Sequence, residues 1–225
     1  MIDGVGWLGH YLLLVGYDDA REQFISMDTY HGEGTRYGYD EMEKSWRAFN
    51  YVFLVVYAPD KEAELFNLLG NFADETWANN HALEIANVEI QTLEGLGEFY
   101  AWFNRGTSLN ALQDYTSAAV SFDAAFNLYA KLPSATRPWR MMWYQTGPYR
   151  AYYYTGRYYD LITLAEQTLD NIKDPILEET FYWRGLAREA LGDLPGAIED
   201  LETSVELNPN FGPGFSQLQR IRGGN

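Results

Sequence analysis

No cysteine occurs among the 225 residues of this chain. That removes disulfides, thiolate metal sites and a cysteine nucleophile from anything these residues do alone. Basic residues are scarce: 16 Lys and Arg stand against 32 Asp and Glu, a formal charge of −16 at pH 7. Such a balance repels a phosphate backbone and argues against a nucleic-acid partner. Long apolar runs are missing as well. The longest, "YLLLV" and "YVFLVVYA", fall far short of the roughly 20 residues of a membrane-spanning helix, and no basic-then-apolar leader opens the sequence. A soluble protein without membrane insertion is expected. What the chain has in quantity is aromatic rings: 18 Tyr, 12 Phe and 7 Trp.

The texture changes near "YAPDKEAE". Before it, residues 1–58 run in short apolar bursts separated by Gly, Asp and Asn, the pattern of strands. After it, Ala, Leu and Glu recur at helical spacing. Pro59 is expected to end the last strand and Asp60 to cap the first helix. Around the polar turn "DDARE", a hairpin folding about Asp19 would set His10 opposite Asp28, Leu12 opposite Ser26 and Leu14 opposite Phe24. Both faces of that hairpin are largely apolar, so it is expected to be covered on both sides, with "YVFLVVYA" as a third strand.

The second part repeats itself. "FYAWFNRGTSLNALQDYTSAAVSFDAAF" and "FYWRGLAREALGDLPGAIEDLETSVELNP" place Gly106 and Gly185, Tyr115 and Leu194, Ala118 and Ala197, Phe122 and Leu201 at matching positions. "GRYYDLITLAEQTLDNIKDP" matches between them through Gly156, Tyr158, Leu161, Ala165 and Thr168. From Tyr115 to Tyr158 to Leu194 the steps are 43 and 36 residues, a period near 34 with an insertion in "LPSATRPWRMMWYQTGP". This resembles the tetratricopeptide repeat, which implies paired helices stacked in a superhelix. "KEAELFNLLG" and "ETWANNHALEIANVEIQTLEG" read as a degenerate helical hairpin ahead of the repeats, and "GPGFSQLQRI" as a capping helix after them.

His10 and Asp28 form the first constellation. They read either as two polar groups satisfying each other in a half-buried sheet, or as a base with the carboxylate that orients it. "GWLGHYLLLVGYDD", "FISMDTY" and "SWRAFNYVFLVVYA" together resemble the C-terminal half of a papain-like bacterial cysteine peptidase, of the bacteriocin-processing family that cuts after double-glycine leaders. The resemblance implies His10 as general base and Asp28 as its orienter. It also implies a cysteine and an oxyanion-hole glutamine upstream of the histidine, and this chain begins nine residues before His10. Without the nucleophile, no peptide hydrolysis by the family mechanism is expected. Ser26 and Ser45 are poor substitutes. A metal site from His10, Asp28 and His31 lacks a helical spacing to fix it, and His81 is a lone helical histidine.

The second constellation is the inner surface of the repeats. Carrying over the first-helix positions of the tetratricopeptide family picks out Tyr100, Phe103, Thr107, Asn110, Trp143, Arg150, Tyr153, Tyr154, Tyr182 and Glu189 as lining a groove for a peptide or protein ligand. Many of these rings would instead pack between repeats in the bland alternative. The basic clamp that some such repeats use for acidic tails is absent, since the matching positions are Phe103, Thr107, Gly147, Glu179 and Trp183.

The expected fold is therefore α+β: a partial papain-like antiparallel β-region at 1–59, a degenerate helical hairpin at 60–97, and an all-α repeat superhelix with its capping helix at 98–225. No cofactor and no metal is expected. A β-region with open apolar faces predicts a homodimer through residues 1–58. A bacterial, cytoplasmic setting follows by default, changed if an upstream segment carries an export signal.

Overall fold

The computed structural model describes residues 7–173 and 176–223. Three strands, β1 (Leu13–Asp18), β2 (Gln23–Asp28) and β3 (Gly32–Gly38), form an antiparallel sheet in that order and lead into α1 (Tyr39–Arg47). The rest is helical: α2 (Glu62–Leu69), α3 (Glu75–Thr92), α4 (Leu96–Ala111), α5 (Tyr115–Tyr129), α6 (Met141–Tyr144), α7 (Gly147–Tyr154), α8 (Tyr158–Asp170), α9 (Glu178–Ala190), α10 (Leu194–Leu207) and α11 (Gly212–Gly223). The protein is thus α+β and mostly α. It divides into two compact units, one of residues 1–112 with 121–138, the other of 113–120 with 139–225.

In the first unit the hairpin forms, but in another register. Leu13 lies opposite Met27 and Leu14 opposite Ser26; after a bulge, Gly16 meets Ile25 and Tyr17 meets Phe24. The loop holds four residues, closed by Asp18 accepting from the Arg21 backbone and side chain. A carboxylate that caps its own turn moves the fold point away from Asp19. The third strand is not "YVFLVVYA" either. Its place beside β2 is taken by the glycine-rich "GEGTRYG", read from sequence as a loop, in which Gly32 and Gly34 adopt φ of +101° and +74°. Residues 52–58 form no strand. The faces of β1 are not covered among the described residues, since Leu13, Val15 and Tyr17 stand exposed.

Pro59 begins a short 3-10 turn, and Asp60 lies inside that turn without capping a helix. The chemical change at Pro59 is not a break in packing. Arg47 at the end of α1 donates to Glu89 on α3 at 2.7 Å, its carbonyl accepts from Asn104 on α4, and Asn50 donates to Ser108 at 3.1 Å. Trp7 donates to Tyr100 and stacks on Phe49. These long-range polar ties hold the β-region against α3 and α4, while α2 has no buried residue.

The repeat positions behave as their residue types require. Gly106 lets α4 approach the buried Phe122, because a Cβ there would sit 2.6 Å from its ring. In the second unit Gly185 does the same against Ala197 and Leu201. Ala125, Leu161, Ala165, Ala197 and Leu201 have no exposed surface. Asp114 and Asp193 cap α5 and α10 by accepting from the Ser117 and Gly196 amides at 3.0 Å each. The middle pair has Arg157 at that position and no side-chain cap.

The turns inside the three helix pairs share one backbone device. Gly156 and Gly192 take φ of +72° and +86°, and the matching residue of the first pair, Gln113, takes +65°. A side chain in that left-handed region is strained, whereas glycine is not. Gln113→Gly is therefore expected to stabilise the protein by about 0.5 kcal/mol, the relief of strain exceeding the added freedom of the unfolded chain. Denaturant unfolding checks this; a loss of stability would show that Gln113 is not strained.

Candidate functional site

His10 and Asp28 do meet, by a route the expected register did not give. β1 starts three residues after His10, and the histidine reaches diagonally to place Nε2 2.9 Å from Asp28 Oδ1. Since a carboxylate only accepts, Nε2 is the donor in this contact. Nδ1 has no partner among the described residues. Asp28 ends β2 with its side chain screened from water, and also accepts from the Tyr30 and His31 amides at 2.7 and 3.1 Å and from the Tyr37 hydroxyl. Burial alone would raise its carboxyl. The hydrogen bonds from Tyr37, the Tyr30 amide, His10 and the His31 amide outweigh that and hold it well below the usual carboxylate range. Burial and the Asp28 carboxylate push the Tyr37 hydroxyl up to about 12, so it stays a neutral donor.

Neither serine considered as a substitute nucleophile is free to serve this pair. Ser26 is fully buried and donates to the Thr35 carbonyl at 3.2 Å, and Ser45 is exposed on α1. His31 contributes its backbone amide to Asp28 while its ring packs edge-on against Tyr30. Among the described residues no group of three His, Cys, Asp or Glu side chains is placed to hold a metal ion. His81 stacks on Trp77.

Of the expected groove residues in the first unit, Tyr100, Phe103 and Asn110 are buried, and Thr107 donates to the Phe103 carbonyl. They are core. Phe103 packs on Phe99, Phe122 and Phe126, and Tyr100 is occupied by Trp7. The physical reason is that Phe103 turns into the packing of α4 on α5, while Trp7 of the β-region occupies Tyr100.

The second unit differs. There Tyr115, Tyr154, Tyr153, Trp183, Tyr182 and Phe211 form an unbroken run of ring contacts, each pair of centroids 4.5 to 5.8 Å apart. The rings come from the start of α5, the end of α7, the first half of α9 and the turn before α11. None is buried, and Tyr154 is 56% exposed. Arg150, one turn before Tyr154, lies over Tyr115 with its Cζ 5.6 Å from the ring centre. Glu189 is committed to Gln217 and Arg220 of α11. Tyr153, Tyr154 and Tyr182 thus fall in one run, with Arg150 at its Tyr115 end. Tyr115, Trp183 and Phe211 were not among the groove residues read from sequence. Trp183 had a signal in the aromatic cluster "FYW", which has no period and so marks no face, whereas Tyr115 and Phe211 are lone rings in "QDYTS" and "NPNFGP".

Trp143 lies apart from that run. Its ring meets Trp139 edge-on at 5.3 Å with Arg140 beside both, and its indole nitrogen is buried without a hydrogen-bond partner at a small cavity shared with Thr146, Glu179 and Thr180.

No family model matches the chain, and no curated protein matches it. Among solved structures, one described as "MamA RS-1 ArsTM double mutant" matches with a TM-score of 0.54 at 18% identity, over 75% of this chain and 88% of that one. MamA contains tetratricopeptide repeats, and the likeness shows a helical-repeat fold here. It lends the peptidase resemblance of residues 1–58 no support. No described helix is long and apolar enough to cross a membrane.

Proposed function

We propose that this chain is a peptide- or protein-binding module whose ligand, an extended peptide, lies along the rings of Tyr115, Tyr154, Tyr153, Trp183, Tyr182 and Phe211. The observation that carries this is the unbroken, half-exposed run of aromatic rings across α7 and α9. Large rings bury much area for little lost rotamer freedom, and tyrosine hydroxyls supply hydrogen bonds to a peptide backbone at the same time. The fold class supports the same reading, since helical repeats present continuous surfaces to partners. Arg150 sits at one end of the run and suits a peptide bearing a carboxylate there. Selection of random displayed peptides against the full chain tests this: binders rich in apolar and acidic residues are expected, and failure to recover any saturable binder would overturn it.

In the same proposal, residues 1–59 are a cysteine-peptidase-like region without a nucleophile. The chain is expected not to turn over casein or a double-glycine leader peptide, because none of its residues is a cysteine. Turnover abolished by His10→Ala would contradict that. A second reading is favoured by one observation, the His10 Nε2 to Asp28 contact at 2.9 Å, with Nδ1 not engaged by any described residue. It is a thiol peptidase of the double-glycine leader type, in which a further segment or another chain brings the cysteine, His10 is the base and Asp28 orients it.

A further inference from the structure

Granted that the aromatic run is the docking surface, as proposed above, we propose that the ligand it selects is a proline-rich segment in the polyproline II conformation. The carbonyls of that segment accept from the Trp183 indole and from the Tyr153, Tyr154 and Tyr182 hydroxyls.

The run carries four polar tips that no protein group uses. Each of these rings packs on its neighbours, yet the three hydroxyls and the Trp183 indole nitrogen make no hydrogen bond among the described residues. An indole N–H only donates, and a phenol can donate. Burial and neighbouring phenols raise Tyr153 and Tyr182 above their ordinary value, so both keep the proton they would donate.

Acceptors are scarcer. Glu189, whose charge acts on Tyr153, is committed to Gln217 and Arg220, and the Tyr115 oxygen accepts from Arg150. Within α7 and α9 the backbone carbonyls are taken up by the helices themselves. The last turn of α7, which carries Tyr153 and Tyr154, is closed by the Thr155, Gly156 and Arg157 amides.

That balance disfavours an ordinary extended peptide. Its amide N–H groups, once covered by the rings, would need acceptors that the run does not supply, and a donor left unmet weakens binding. Proline has no N–H. A polyproline II segment also makes no internal hydrogen bonds, so its carbonyls stay open to donors, and its fixed φ lowers the entropy lost on docking. The shape agrees: from Tyr154 to Phe211 successive rings are turned 57° to 84° from one another, a ridged surface of the aromatic-lined kind on which proline rings dock.

Calorimetric titration of the full chain with an acetylated and amidated decaproline tests the proposal. Saturable binding is expected. A decamer with alanine at alternate positions restores N–H groups and should bind about tenfold more weakly. Trp183→Phe and Tyr154→Phe each keep a ring and remove one donor, and each should weaken decaproline binding about fivefold. Tyr159→Phe, 74% exposed on α8 and outside the run, should change nothing. Equal binding of the two decamers, or decaproline binding indifferent to both ring-keeping variants, would overturn the proposal. Decaproline that fails to bind, while a proline-free peptide selected on the same chain binds and loses affinity in Tyr153→Ala, would overturn the proline preference and leave the docking surface standing. Absence of any peptide binding would overturn both.

Discussion

Asp28→Ala is expected to destabilise the first unit by about 3 kcal/mol, the largest effect of any single change in the β-region. The carboxylate accepts from His10, Tyr37 and the Tyr30 and His31 amides, so its removal strands four donors where one acceptor had served them. The sheet around it is thin, with β1 exposed, and water reaches some of those donors; the effect is set accordingly below that of a deeply buried charge. Asp28→Asn should lose less, because it keeps an acceptor oxygen but turns an amide toward donors. The pH dependence follows from the same bonds. With its folded value held below the ordinary 3.8, Asp28 contributes stability that is present above about pH 4 and is lost as pH falls toward that lowered value. Tyr37 acts at the other limit: its value of about 12 against an ordinary 10.0 contributes stability lost as pH rises from 10 through 12. Denaturant unfolding of wild type and Asp28→Asn between pH 2 and 8 checks the acid limb, which the variant should lack. An alanine variant within about 0.5 kcal/mol of wild type would show that the four bonds are not cooperating.

Tyr153→Ala is expected to weaken binding of a selected peptide about thirtyfold, close to 2 kcal/mol. Tyr153 is the junction of the aromatic run, touching Tyr154, Tyr158 and Trp183. Its loss removes a contact surface and lets its neighbours turn away from the ligand. Tyr159, 74% exposed on α8 and outside the run, is the control. Tyr159→Ala should leave affinity unchanged. Calorimetric titration of both variants, with circular dichroism to show intact helices, checks the pair. Equal losses from Tyr153→Ala and Tyr159→Ala would mean a nonspecific surface, and no loss from either would mean the rings are packing between helices only.

The repeats were legible because their residues answer to local rules. A glycine where two helices nearly touch and alanines at a crossing each follow from one contact, as Gly106 and Ala118 illustrate. The β-region was legible only in part, for a different reason. Strand register depends on turn chemistry, and Asp18 capping its own turn moved every partner by two or three positions. The reading of "YVFLVVYA" as a strand rested on propensity, which does not say whether a neighbouring strand exists; the glycine-rich "GEGTRYG" took the edge of β2 because its glycines allow the bend that pairing there requires. His10 and Asp28 met despite the wrong register, since a diagonal neighbour lies within reach of a long polar side chain. The surface of the repeats divided according to each ring's neighbours: Phe103 turns into the α4–α5 packing and Trp7 occupies Tyr100, so both are core while Tyr153 and Tyr182 are not.

The central claim, that the aromatic run on α7 and α9 is the docking surface, is tested most directly by fluorine NMR of the chain labelled with 5-fluorotryptophan. Seven tryptophan signals are expected, with Trp183 assigned by its loss in Trp183→Phe. Titration with a selected peptide should shift or broaden the Trp183 signal in proportion to saturation and leave Trp46 and Trp77, both in the first unit, where they were. A Trp183 signal that does not move while the peptide binds to saturation would contradict the account.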